Sequence, residues 1–240
     1  MTNKVKIALL SLGFLGSSAF ADYKPHLWGT FGIGMTSNTT HTKTLLPNLL
    51  NGDQKDGLTN LSGAGLIRLG LGLDIQKFHA GLFFYLPGNK TKGSTILDFS
   101  SATRTNTLNT RVKSDFLGYG GGLRLGYKMD KNLLFASFGA LSRLYKTNLN
   151  LQTNNLTTGV STDSDWISEK KNFTAFVPGI GLEYALSPCI VLGMQASVEL
   201  YASKTIESDG DTAETGLGSS IKVRPRTFSG LLTASYKFNL

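Results

Sequence analysis

The sequence predicts an all-β fold, an eight-stranded antiparallel up-and-down transmembrane β-barrel. Three observations carry that expectation. In the final stretch, Leu240, Phe238, Tyr236, Ala234, Leu232, Gly230 and Phe228 share one parity, while Asn239, Lys237, Ser235, Thr233 and Ser229 share the other. A strand puts such alternate residues on opposite faces, one apolar with aromatics near its end and one polar. Seven further stretches repeat the period of two, and the connections between them are by turns very short and very long. After Asp22 no run of about 20 apolar residues exists, so a membrane-spanning reading requires a closed barrel.

The strands follow in order. Leu27 to Thr36 sets Leu27, Phe31, Ile33 and Met35 against Trp28, Thr30, Gly32, Gly34 and Thr36. Gly65 to Gln76 alternates most cleanly, with Ile67, Leu69, Leu71, Leu73 and Ile75 outward and Arg68, Gly70, Gly72, Asp74 and Gln76 inward. Phe78 to Leu86 turns Phe78, Ala80, Leu82, Phe84 and Leu86 outward and His79, Gly81 and Tyr85 inward. Phe116 to Lys128 exposes Leu117, Tyr119, Leu123, Leu125 and Tyr127 and encloses Arg124, Lys128 and four glycines. Leu133 to Tyr145 exposes Leu134, Ala136, Phe138, Ala140 and Leu144 and encloses Ser137, Gly139 and Arg143. Phe173 to Leu186 exposes Phe176, Ile180, Leu182, Tyr184 and Leu186 and encloses Glu183; Pro178, which has no amide to donate, is expected in its outer part at a bulge. Ile190 to Ala202 exposes Ile190, Leu192, Met194, Ala196, Val198 and Leu200 and encloses Gln195, Glu199 and Tyr201. The C-terminal stretch is the eighth.

Gln76-Lys77, Met129 to Asn132 and Ser187-Pro188 read as tight turns. Ser37 to Gly63, Pro87 to Asp115, Lys146 to Asn172 and Ser203 to Val223 read as long polar loops, uncommon in a compact soluble domain.

The N-terminus reads as an export signal. Lys4 and Lys6 precede the apolar core Ile7 to Leu15, and Ala19-Phe20-Ala21 offers a small-x-small cleavage site. Residues 1–21 are therefore expected to be a cleaved signal peptide and 22–240 a single barrel domain. Cleavage removes two lysines, so the net charge falls from +8 to +6. An exported basic chain meets anionic lipid headgroups, not nucleic acid. Cys189 is the sole cysteine, which excludes an internal disulfide, and its distance from the cleavage site argues against a lipid anchor.

Predicted interior positions hold Arg68, Asp74, Arg124, Lys128, Arg143, Glu183, Glu199 and Lys237, with His79 and Gln195. An isolated buried ion is very costly, so these groups are expected to form a network. Its acids Asp74, Glu183 and Glu199 would be paired by Arg68, Arg124, Arg143 or Lys237. An eight-stranded barrel leaves room for little besides side chains, so a plugged, hydrated core is the default.

With signal peptide, eight alternating strands, four long connections and the ending Tyr236-Lys237-Phe238-Asn239-Leu240, the chain resembles the small eight-stranded outer-membrane barrels, a group that includes the membrane domain of outer-membrane protein A and the opacity-like porin family. The usual last residue there is Phe; here Leu240 stands in its place. The resemblance implies residence in a bacterial outer membrane, with short turns in the periplasm and long loops outside. Its implied partners are outer-membrane lipids and lipopolysaccharide, the barrel-assembly machinery, which would read Tyr236, Phe238 and Leu240, and host or environmental ligands at the loops. The group has no shared catalytic residue to carry over; no cofactor and no peptidoglycan-binding domain after the barrel are expected.

Other motifs were weighed on their chemistry. His26, His41 and His79 lack any paired metal-ligand spacing, and no metal site is expected from them. Ser142 faces the outer leaflet without a histidine at its depth, so no lipid A-modifying, or other, enzyme is expected. Gly118 to Gly122 lacks the Lys-Ser/Thr ending of a phosphate loop and suits a strand curving round a narrow barrel. Glu207 to Asp211 is too short a run for a calcium loop. Tyr23, Tyr127, Tyr184 and Tyr236 fall where an interfacial girdle would lie. Lys90, Lys92, Arg104, Arg111 and Lys113 make the second long connection basic against Asp98 and Asp115, either as solvated charge or as a site for lipopolysaccharide phosphates or anionic glycans. The functional readings are a structural or adhesion-type surface protein, a small passive channel and, third, a lipid-modifying enzyme.

Overall fold

The computed structural model describes residues 23–45, 56–100, 104–207 and 220–240. The expected signal peptide and the residues 208–211 of the acidic run lie outside them. The described residues form eleven strands: β1 (Tyr23–Leu45), β2 (Asp56–Ile75), β3 (Phe78–Asn89), β4 (Lys92–Ser100), β5 (Arg104–Ser114), β6 (Tyr119–Met129), β7 (Asn132–Asn155), β8 (Ser161–Ala185), β9 (Ile190–Tyr201), β10 (Lys204–Glu207) and β11 (Ser220–Asn239). All pairings are antiparallel, and β1-β2-β3-β6-β7-β8-β9-β11 closes on itself through β11 with β1. That is an eight-stranded barrel. The three additional strands continue barrel strands above it. The β3–β6 and β4–β5 ladders keep one register, with Tyr85 opposite Gly120 and Lys92 opposite Lys113, so each half of this hairpin is one long strand interrupted once.

Within the barrel the inside-out pattern holds. Phe31, Ile33, Leu69, Leu71, Leu82, Leu123, Phe176, Ile180, Met194 and Leu232 are exposed, whereas Thr30, Arg68, Arg124, Ser137, Glu183, Gln195 and Thr233 are buried. On β7 the apolar outward row runs from Leu134 to Leu144, and ten residues of a strand tilted about 40° rise about 26 Å, the height of a hydrocarbon band.

Above that band the rule inverts. On β7, Lys146 is exposed and Asn148 half-buried on the outward side, while Tyr145, Thr147 and Leu149 are buried inside with Val112, Phe173, Ile206 and Val223. The described residues of the expected long loops are therefore largely strand. In water, apolar side chains turn inward again, so the outward apolar row that marks a membrane strand ends although backbone pairing continues. Thr36, Asn38, Thr40 and Thr42 carry the inner face of β1 through this region.

The tight turns lie where expected. Gln76 and Asp130 each adopt φ 52°, the left-handed conformation that a two-residue hairpin requires. Pro178 departs from expectation. It sits in mid-strand without a bulge: Phe176–Leu200 and Gly179–Ser197 keep one register, and the β8–β9 ladder lapses at Val177 and Pro178, where the missing amide costs no bond. The register shift in β8 lies against Leu149 and Asn150 of β7, in the upper extension.

Leu69→Arg, at mid-height on the outward face, is expected to destabilise the chain by about 2–4 kcal/mol in urea unfolding from lipid vesicles. His41→Arg, on exposed β1 above the band, should change stability by less than about 0.5 kcal/mol.

Candidate functional site

The interior is stacked in layers, and glycines opposite large rings create the room. A Cβ at Gly70 would collide with the Trp28 ring, and one at Gly181 with Phe135. These rings form the walls of the principal ion pair. Arg124 Nη1 donates to Glu183 Oε1 at 2.8 Å, and Nη2 donates to Oε2, a two-pronged contact from β6 to β8. The same guanidinium lies 3.9 Å from the centroid of Phe135 and 5.2 Å from that of Trp28. Facing it, Arg68 makes no ion pair among the described residues. Its guanidinium stacks over Phe83, 4.7 Å from the centroid, and beside Trp28 at 5.9 Å. Stacking on an aromatic quadrupole replaces the carboxylate expected for this arginine.

Nearer the loop end, Arg143 and Glu199 meet at 3.5 Å, and Tyr201 OH donates to Glu199 at 2.7 Å. Tyr145 packs edge-on against both Tyr201 and Phe173, which roofs this pair. Between the two ion pairs a small cavity of about 30 Å³, lined in part by Arg68, Tyr85, Gln195 and Glu199, has room for water only. The lumen is thus filled by side chains through its middle.

At the turn end, Asp74 is held by Lys128 and by His79, whose Nδ1 donates to Oδ1 at 2.8 Å, and His26 Nδ1 lies 3.7 Å from Oδ2. The arginines expected for Asp74 are engaged elsewhere. Lys237 joins Lys24, Lys128 and Lys131 around an open mouth cavity of about 230 Å³. The structure brings His26 and His79 together, which their separation in sequence did not signal: the pairing of Gly72 with both His26 and Gly81 does so. His41 is far off on β1, and Ser142 lies on the lipid face opposite Tyr119, away from all described histidines.

The basic connection forms strands. Lys92 and Lys113 oppose each other across β4–β5; Lys113 also opposes Lys146 of β7, and Lys146 opposes Lys170 of β8. All four are exposed, as are Lys90 and Arg111. Arg104 begins β5. Sequence reading saw only the half of this row that lies within one connection, because Lys146 and Lys170 join through register alone.

Tyr236, Phe238 and Leu240 are exposed on the outer face, with Tyr236 and Phe238 in ring contact at 4.6 Å. Leu240 N–H donates to Pro25 O at 3.3 Å, which ties the chain's end to its first strand. Tyr127 and Tyr184 are exposed at the same rim.

Glu183→Gln is expected to cost about 3–5 kcal/mol in urea unfolding, because it leaves Arg124 buried without its counter-charge. The double change Arg124→Met and Glu183→Leu should recover most of that loss.

No curated protein sequence matches the chain. Among solved structures it is similar to the attachment invasion locus protein Ail of Yersinia pestis, at 12% identity over 88% of this chain and 98% of that one, with a TM-score of 0.35. It is also similar to the outer membrane protease OmpT from Escherichia coli, at 10% identity, 89% and 97% coverage and a TM-score of 0.46. The outer membrane protein OprG from Pseudomonas aeruginosa matches at 11% identity, 90% and 98% coverage and a TM-score of 0.45. A family model for the outer membrane protein beta-barrel domain matches residues 7–229. With its lipid-facing apolar band and closed eight-stranded sheet, the chain belongs to that bacterial outer-membrane family.

Proposed function

We propose that the chain is a non-enzymatic surface-interaction barrel whose upper strands hold polyanions at the outer face of the membrane. The observation that carries this reading is the row Lys92, Lys113, Lys146 and Lys170, four exposed cations directly opposite one another across four strands. Like charges in that position destabilise a sheet, so the row is costly unless an anion bridges it. Its height is also specific. Along the outward rows each lysine stands within three positions above an apolar residue of the band: Leu86, Leu117, Leu144 or Phe176. That is the headgroup level of the outer leaflet, where lipid A phosphates sit and where the foot of a bound glycan would rest. Lys90 and Arg111 extend the charge on the same face.

The filled lumen favours a binding role over a passive channel. A solute would have to break the Arg124–Glu183 pair and pass Trp28, Phe83 and Phe135. Tyr236, Phe238 and Leu240 would serve as the assembly signal, presented outward on the closing strand.

The four-lysine change to Gln is expected to weaken retention on vesicles carrying phosphorylated lipid A at least tenfold, and to flatten its salt dependence. Dephosphorylated lipid A should lose the wild-type advantage. Retention on heparin that falls while lipid A binding persists would assign the row to glycans; retention unchanged on both would remove the proposal. Planar bilayers containing the wild-type chain should show no steady conductance steps.

A further inference from the structure

We propose that the turn end of the lumen contains a two-histidine site for a divalent transition ion of the zinc type, with His26 Nε2 and His79 Nε2 as ligands. Both side chains are buried, at 2% and 3% exposure, and both Nε2 atoms lack a hydrogen-bond partner among the described residues. The protonation pattern follows from their other nitrogens. His26 Nδ1 lies 3.2 Å from Lys24 O, and a carbonyl only accepts, so that nitrogen carries the proton. His79 Nδ1 likewise donates to the Asp74 carboxylate. In a neutral imidazole the proton on Nδ1 leaves a lone pair on Nε2. Two buried lone pairs are thus presented with nothing to donate to them. A carboxylate or backbone carbonyl on the far nitrogen is the arrangement that orients metal-ligating histidines and raises their basicity.

The geometry suits one ion between the rings. With metal–nitrogen lengths of about 2.0–2.1 Å and a tetrahedral angle, two imidazole centroids flanking a zinc ion stand about 5 Å apart. Those of His26 and His79 are 5.5 Å apart. Gly72 and Gly81, opposite each other on β2 and β3, form the floor beneath the rings; a Cβ on Gly72 would strike His26 Nε2 and His79 Cε1. The Asp74 carboxylate, 2.8 Å from His79 Nδ1 and 3.7 Å from His26 Nδ1, supplies negative charge behind both rings. The mouth cavity, whose wall includes His26 and Asp74, gives access for the ion and for water to complete its shell.

Lys128 is the competitor. Its ammonium neutralises Asp74, and with its side chain 28% exposed it is free to swing into the mouth when a divalent ion takes over that charge. Lys24, Lys131 and Lys237 around the mouth also oppose a cation, so binding is set by the two imidazoles rather than by the field.

The test is titration of the refolded, tag-free chain in detergent with Zn²⁺ by calorimetry, and with Co²⁺ by visible absorption. The expected result is saturation at one ion per chain with the intense absorption of tetrahedral cobalt. His26→Ala and His79→Ala, each checked for heat-modifiable gel mobility, should weaken binding at least tenfold, and Asp74→Asn about tenfold or more. Lys128→Met should tighten it, while His41→Ala and Cys189→Ser leave it unchanged. Absence of saturable binding, binding unaltered in the double histidine variant, or Lys128→Met without tightening overturns the site.

Discussion

A backbone amide left unpaired in hydrocarbon costs several kilocalories per mole, and that constraint governs this molecule. It forces the sheet to close, and β11 meets β1 along twenty residue pairs, from His26–Asn239 to Leu45–Ser220. Closure at eight strands sets a narrow bore. The narrow bore then requires glycine wherever a large ring must cross it, as Gly70 does for Trp28 and Gly181 for Phe135. Leu240 takes part directly, since its N–H reaches Pro25 O on the first strand.

The same closure decides the electrostatics. With most apolar side chains committed to lipid, the interior takes the charged set beside rings such as Trp28, Phe83 and Phe135, and each ion there needs a partner at close range. Three solutions coexist. Arg124 and Glu183 form a two-pronged pair between aromatic walls; Arg143 pairs with Glu199, which also accepts from the Tyr201 hydroxyl; Arg68 is stacked on rings. Asp74, at the turn end, is shared between an ammonium and an imidazole. The middle of the lumen is a mixed core of ion pairs and aromatic rings. Both rims, by contrast, carry surplus positive charge, in the Lys24–Lys128–Lys131–Lys237 mouth and the four-lysine row above.

What could be read from the chain beforehand follows from this physics. The eight barrel strands and their outward faces were legible because lipid imposes a strict period of two, most plainly in Ile67 to Ile75. The upper extensions were not. Above the band the outer face is polar and the inner face mixes Thr and Asn with scattered apolar residues such as Val112, Leu149 and Val223, so stretches such as Asn38 to Thr42 resemble loop, although they pair residue for residue with β2 and β11. Residues of the interior were identifiable by parity, but their partners were not, because a register four residues off would put Arg124 where Lys128 now stands beside Asp74. The meeting of His26 with His79 and the lysine row were invisible for the same reason: each joins residues through strand neighbours far apart in sequence.

The central claim is that apolar side chains face hydrocarbon while the ionic ones are enclosed. Its most direct test is a nitroxide scan of β9, from Val191 to Glu199, placed one position at a time on single cysteines in a Cys189→Ser chain in lipid bilayers. The account predicts collision with dissolved oxygen that is high at Leu192, Met194, Ala196 and Val198 and low at Val191, Gly193, Gln195 and Ser197. An accessibility profile without that period of two, or with its phase reversed, would contradict it.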